Sequence, residues 1–178
     1  MDKNEMLNKY KSYKSGTAQM AGVEDKAVNV TDEYEEAQKL YEAKHYEEAY
    51  AKFKSLAEKG DAHAQYQLGI AHELGVGAED DTGKAIEWFL KAAEQGIPLA
   101  QYRLATLYLD EDDNDKAAEW YRKATEGLRT VAINGDADTQ FMMGMCYEIG
   151  YEDHAQALEW WQRAAAQGHK RAQYKVNE

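Results

Sequence analysis

With a single cysteine, Cys146, the chain cannot form an internal disulfide, so a disulfide scaffold is excluded. Proline is as scarce: Pro98 alone interrupts the chain, which leaves room for long helices. Positive charge is the minority, with 21 Lys and Arg against 33 Asp and Glu and a net charge of −12. A chain this acidic offers no broad basic face to a nucleic acid. No stretch approaches the roughly 18 apolar residues of a membrane span. The first thirty residues contain no apolar segment of the kind a secretory leader needs, so the expected compartment is the cytoplasm. What is present is ample for folding. The chain has 178 residues, 44% hydrophobic, with four Trp, thirteen Tyr and three Phe. That is enough for one domain of ordinary size with a continuous core, and too aromatic for a disordered chain.

The sequence repeats itself. Ala57-Glu58-Lys59-Gly60 recurs as Ala93-Glu94-Gln95-Gly96, Ala132-Ile133-Asn134-Gly135 and Ala165-Ala166-Gln167-Gly168, at glycine spacings of 36, 39 and 33. After each comes a second marker: Ala64-Gln65-Tyr66, Ala100-Gln101-Tyr102, Thr139-Gln140-Phe141 and Ala172-Gln173-Tyr174. A third is an aromatic pair placed three residues after an alanine: Trp88-Phe89, Trp120-Tyr121 and Trp160-Trp161. Markers in register at this period signal a repeat architecture.

Each unit reads as two helices. In residues 61–96, Asp61 caps the first helix, and Ala64, Leu68 and His72 fall on one stripe. Gly75-Val76-Gly77 breaks it, and an acidic loop follows. A second helix starts at about Thr82, with Ala85, Trp88, Phe89, Ala92 and Ala93 as its apolar stripe and Gly96 as its left-handed end. Alanines let backbones approach and aromatics fill the gap, but one hairpin cannot bury its own face and must stack on a neighbour. All four tryptophans (Trp88, Trp120, Trp160 and Trp161) are expected in the core.

These residues resemble the Sel-one-like repeat (SLR) family, a relative of the tetratricopeptide repeats. The resemblance is carried by Ala64-Gln65-Tyr66-Gln67-Leu68-Gly69, Gly75-Val76-Gly77 and Lys84 to Gly96, then by Met143-Gly144, Tyr147, Gly150 and Ala157 to Gly168. It implies an all-α fold, a right-handed α-solenoid (alpha-alpha superhelix) of about four helix-turn-helix repeats. The expected organisation is an N-terminal extension over 1–30, a repeat domain over 31–178 with repeats at about 31–60, 61–96, 97–135 and 136–168, and a capping helix over 169–178. The extension carries a charge of +1 and the remainder −13. It is either a disordered arm or a helix over Glu5 to Lys14 packed on the first repeat. The first and third units depart from the pattern with shorter inter-helix turns. The third also lengthens its second helix by about two turns, because Ala117, Trp120, Ala124, Leu128, Val131 and Ala132 keep one face.

Little in the sequence points to catalysis. Asp110 to Asp115 invites a calcium reading, but Asp115 and Tyr121 stand where an EF-hand loop needs glycine and glutamate, so a solvated loop is expected. The five histidines have no metal-ligand spacing, and Cys146 lacks a partner. No nucleophile–base pair, phosphate loop, metal or cofactor is expected. The family resemblance implies instead that the first helix of each pair lines a concave surface. On that face one position is aromatic throughout: Tyr34, Tyr66, Tyr102, Phe141 and Tyr174. The next turns bring Ile70, Thr106 and Met145, then Tyr41, Glu73, Leu109 and Glu148. Such a groove suits a peptide or partner helix, although the aromatics can equally serve to pack one repeat on the next. The expected function is a non-catalytic protein-interaction module, adaptor or regulator, for a peptide or basic protein. The alternatives are an immunity-type inhibitor of a cationic toxin, an oligomeric structural subunit or an enzyme. The chain is expected to be monomeric when free.

Overall fold

A computed structural model of the chain describes residues 32–133 and 135–178. The N-terminal extension lies outside the described residues. Among these there are nine α-helices and no strand. They run in pairs: α1 (Asp32–Glu42) with α2 (Tyr46–Glu58), α3 (Ala62–Leu74) with α4 (Thr82–Glu94), α5 (Pro98–Asp110) with α6 (Asn114–Ile133), and α7 (Ala137–Met145) with α8 (His154–Ala166). A last short helix, α9, spans Lys170–Val176. This is an all-α, solenoid-type fold. The described residues divide into two compact units, 32–104 and 105–178, at a boundary inside α5.

The ends of the helices follow from the sequence. The carboxylates of Asp61, Asp81, Asp136 and Asp153 accept the amides of Ala64, Lys84, Thr139 and Gln156. Each satisfies an amide that the first turn leaves without a helical partner, worth about 1 kcal/mol. Within each pair one backbone bond recurs. The amide just before the second helix reaches the last turn of the first: His45 to Leu40 (2.9 Å), Asp81 to His72 (3.1 Å), Asp113 to Tyr108 (2.9 Å) and Asp153 to Tyr147 (3.0 Å). The connections differ around that fixed point. The tight turns after α1 and α5 put Lys44 (φ 66°) and Asp112 (φ 61°) in the left-handed region. After α3 the chain instead loops through Gly75-Val76-Gly77, burying Val76. After α7 the helix widens into one π turn over Cys146–Gly150, and a side chain at Gly150 would meet the backbone of Arg122. The second helix of the third pair is 20 residues long where its counterparts have 13, the two extra turns expected.

Packing inside a pair rests on a small residue facing a ring. A Cβ added at Gly69 would collide with the ring of Phe89, and one at Gly144 with the indole of Trp161. The corresponding first-helix positions in the other pairs are Ala37 and Ala105, both fully buried, and the corresponding second-helix rings are Phe53 and Tyr121. Missing side-chain volume on one helix thus admits the largest rings on the next.

Between pairs, a glutamine does the joining. Gln65 Nε2 donates to the Ala57 carbonyl (3.2 Å), Gln101 to Ala93 (3.1 Å), Gln140 to Ala132 (3.2 Å) and Gln173 to Ala165 (3.4 Å). A second glutamine, at the end of the following helix, closes the set. Gln95 Nε2 reaches Gln65 Oε1 (2.8 Å) and Gln167 Nε2 reaches Gln140 Oε1 (2.9 Å). Each of these carbonyls also accepts the amide of the glycine that follows its helix, from Gly60, Gly96, Gly135 and Gly168, so the glutamine supplies a second donor.

One tryptophan departs from the core expected for all four. Trp120, Trp160 and Trp161 are buried, but Trp88 is only half-buried. Phe89 takes the position against Gly69, as Trp161 does against Gly144, and Lys91 Nζ sits 4.0 Å from the Trp88 ring centroid. Lys123 over Trp120 (3.9 Å) and Arg163 over Trp160 (4.6 Å) repeat that cation–π contact one turn along the helix. Replacement of Trp161 by alanine is expected to cost roughly 3–5 kcal/mol, and Trp88→Ala only about 1–2 kcal/mol, because much of the Trp88 ring already meets water. Chemical denaturation of the two variants checks this, and equal losses would contradict the burial described.

Candidate functional site

The first-helix row of aromatics is a row of packed residues. Tyr34, Tyr66, Tyr102 and Phe141 are all buried, and Ile70 is buried beside them. In each unit these rings are turned into the packing and present little surface. The next first helix covers these rings: His63 and Gln67 meet Tyr34, Arg103 meets Tyr66, and His169 and Arg171 meet Phe141. Tyr174 alone is exposed, at 67% of its surface.

Within residues 32–104 the polar atoms of this row are satisfied internally. Gln67 Nε2 donates to Tyr34 Oη at 3.2 Å, and the Tyr34 ring meets Phe53 (5.5 Å) and the edge of His63 (6.2 Å). Burial pushes the Tyr34 hydroxyl up to about 12, against the opposing effect of hydrogen bonds from Gln67 and Gln38. The Tyr66 hydroxyl is also raised by burial, with Arg103 nearby and hydrogen-bonded to it working the other way. Tyr41, half-buried, packs edge-on against Tyr46 at 5.3 Å and is raised by burial to about 12. Glu73 lies next in the row. Its Oε1 is 3.4 Å from Arg103 Nη1, with both side chains mostly withdrawn from water. Its Oε2 is buried with no hydrogen-bond partner among the described residues.

Behind this face, His72 is a structural residue, as its place on the core stripe implied. Its Nδ1 donates to the Glu79 carbonyl (3.0 Å), which leaves Nε2 to accept from Tyr50 Oη (3.2 Å). The imidazole thus pins the acidic loop to two helices.

Within residues 105–178, Thr106, Leu109, Met145 and Glu148 are half-buried. Thr106 Oγ1 is 3.3 Å from Tyr121 Oη, whose burial raises it to about 12. Glu148 Oε2 pairs with His154 Nδ1 at 3.0 Å. Phe141 is closed over by His169, stacked at 4.6 Å, and by Arg171 at 4.8 Å from its centroid. His169 in turn caps α9, accepting the Ala172 amide on Nδ1 and meeting Asp138 Oδ1 with Nε2 at 3.0 Å. That cap was not foreseen, since histidine is an unusual residue there.

Residues that could carry chemistry are otherwise occupied. Burial pushes the Cys146 thiol up to about 12, partly offset by its hydrogen bond with Thr125. A thiol so placed is almost wholly protonated at neutral pH and shielded from attackers. Asp113 caps Lys116 and pairs with its ammonium at 2.6 Å, so the acidic run is a helix start. Among the described residues there is no group of three or more His, Cys, Asp or Glu that could hold a metal ion. None of the described helices is long and apolar enough to cross a membrane.

The buried tyrosines make a pH prediction. Tyr34, Tyr41 and Tyr121 keep their protons to about pH 12 when folded, against an ordinary value of 10.0. The unfolded chain releases them first. The stability they lend is therefore fully present below pH 10 and is lost as pH rises from 10 toward 12. Denaturation midpoints should fall steeply across that window while tyrosinate absorbance lags that of the unfolded chain. Flat midpoints together with simple titration near pH 10 would contradict their burial.

Comparison with known proteins agrees with this geometry. The Sel1 repeat profile matches residues 62–97, 98–127 and 137–169, more than half of the chain. A Sel1 repeat protein from Oxalobacter formigenes superimposes with a TM-score of 0.59 at 32% identity, over 79% of this chain and 58% of that one. Chitin synthase regulatory factor 3 of Schizosaccharomyces pombe is 46% identical over 46 residues, 26% of this chain and 5% of that protein. The ERAD-associated E3 ubiquitin-protein ligase component HRD3A of Arabidopsis thaliana is 40% identical over 53 residues, 29% of this chain and 8% of its own length. This chain thus matches less than a tenth of either curated relative. Three matched repeats, the glutamine joints between pairs and the glycine-to-ring contacts within them place the chain in the Sel1 repeat family.

Proposed function

We propose that this chain is a non-catalytic protein-interaction module, an adaptor or regulator, that takes a peptide or basic segment of another protein on its first-helix face. The observation that supports this most is the Glu73 carboxylate. One of its oxygens is buried without a hydrogen-bond donor, and the other is held only at 3.4 Å by Arg103. An anionic oxygen withdrawn from water and left without a donor is costly, and a lysine or arginine from a partner would satisfy it. Family membership points the same way, since the relatives that share these repeats are named as a regulatory factor and as a component of a ligase.

On this reading the buried aromatics and Ile70 are the floor. The half-buried side chains are the contacts: Tyr41, Glu73 and Arg103 in residues 32–104, and Thr106, Leu109, Met145 and Glu148 in residues 105–178. Such side chains are already held by their neighbours, so little rotamer entropy is lost when a partner arrives. The net charge of −12 favours a basic partner and an association that weakens with salt. The setting of this reading is the cytoplasm.

The test is affinity capture from a lysate of the source organism with the native chain and with Glu73→Gln, each washed at low and high salt. The native chain should hold a basic protein that high salt releases, and Glu73→Gln, at unchanged melting temperature, should hold several-fold less of it. Equal retention by both at both salt concentrations would remove Glu73 and charge from the account.

A further inference from the structure

At three junctions the first-helix aromatic is covered by the first helix that follows. Tyr34 lies under His63 and receives a hydrogen bond from Gln67. Tyr66 is hydrogen-bonded by Arg103. Phe141 lies under His169 and Arg171. Their exposures are 8%, 6% and 4%, while Tyr174, the same position in α9, is 67% exposed. The junction surface is therefore repeated once more at α9, and its aromatic is uncovered.

We propose that this surface is a docking site for α1 of a second copy of the chain, in a head-to-tail contact that continues the repeat. The register supports it. The residue that reaches back to the preceding tyrosine is the one directly after the aromatic of the next first helix: Gln67 follows Tyr66 and Arg103 follows Tyr102. In α1 that residue is Glu35, which follows Tyr34 and is exposed. Placed over α9 in the same register, its carboxylate accepts from the Tyr174 phenol in place of Glu178, which the phenol meets in the free chain.

Charge supports the same occupant. The segment from Lys170 to Glu178 carries Lys170, Arg171 and Lys175 against Glu178, an island of positive charge on an acidic chain. Helix α1 carries Asp32, Glu33, Glu35, Glu36 and Glu42 against Lys39. Basic α9 and acidic α1 are complementary, whereas two copies of α9 repel, so the contact is heterologous and adds copies in a row instead of closing a dimer. A contact of this size with exposed charges is weak and salt-sensitive, and belongs to high protein concentration.

The experiment uses the full chain in sedimentation velocity at low salt, from micromolar to millimolar concentration. The native sedimentation coefficient should rise with concentration. Tyr174→Ala should keep the native melting temperature and lower the association constant about tenfold or more, as loss of an anchoring tyrosine does. Two charge-reversed chains decide the occupant: Lys170→Glu with Arg171→Glu, and Asp32→Lys with Glu33→Lys and Glu35→Lys, which turns the net charge of α1 positive. Each alone should stay monomeric, and an equimolar mixture should form a one-to-one complex, because the acidic α9 of one meets the basic α1 of the other. A native coefficient that stays constant across the range would overturn the proposal. So would charge-reversed chains that associate alone as strongly as the native chain, or a mixture that does not associate.

Discussion

A glutamine side chain holds each helix pair to the one before it. Gln65, Gln101, Gln140 and Gln173 donate to carbonyls in the last turn of the preceding second helix. The bond is modest in net energy, about 1 kcal/mol, and adds to the glycine amide that each carbonyl already accepts. It also fixes a register. After Gln65 and Gln140 the next residue is buried in the stack, and the residue three further on is a glycine that faces a ring of the second helix. Tyr66 with Gly69, and Phe141 with Gly144, follow this rule. The rings of Phe89 and Trp161 then occupy the space left by the missing side chains. Glutamine, aromatic, small residue and ring therefore form a single linked requirement, which explains why they recur together along the chain.

That requirement decides which side chains remain for function. The conspicuous aromatics of the first helices are used in stacking, as are His72 and Cys146. What is left on the same face is a thinner set of half-buried groups, among which Glu73 stands out because its local hydrogen bonding is incomplete. In the proposed role, a partner is recognised by a few charges and edges beside packed aromatics. Rigid stacking and sparse recognition suit an adaptor, in which the scaffold is common and the specificity lies in a handful of exposed positions.

Much of this fold was legible in the sequence, because repetition multiplies weak signals. The cap at Asp61, the helix end at Gly96 and the two added turns of α6 are all read directly from spacing. The site was less legible. Period alone places Tyr66 and Glu73 on one face, but it does not say that Tyr66 turns into the stack while Glu73 remains near the surface. That depends on a contact distant in the sequence, the hydrogen bond that Arg103 of the next first helix makes with the Tyr66 hydroxyl. Trp88 was misplaced for a similar reason. Two adjacent aromatics compete for one slot against Gly69, and periodicity does not reveal that Phe89 fills it. The Lys91, Lys123 and Arg163 contacts with tryptophan were visible as a basic residue three positions after each ring and went unused.

The most direct measurement of this account is the stability of Tyr66→Ala by chemical denaturation. If the first-helix aromatics belong to the stack, the variant should lose roughly 3–5 kcal/mol, as a large-to-small core substitution does. A variant as stable as the native chain that no longer held the partner would contradict it, and would return those tyrosines to the binding surface.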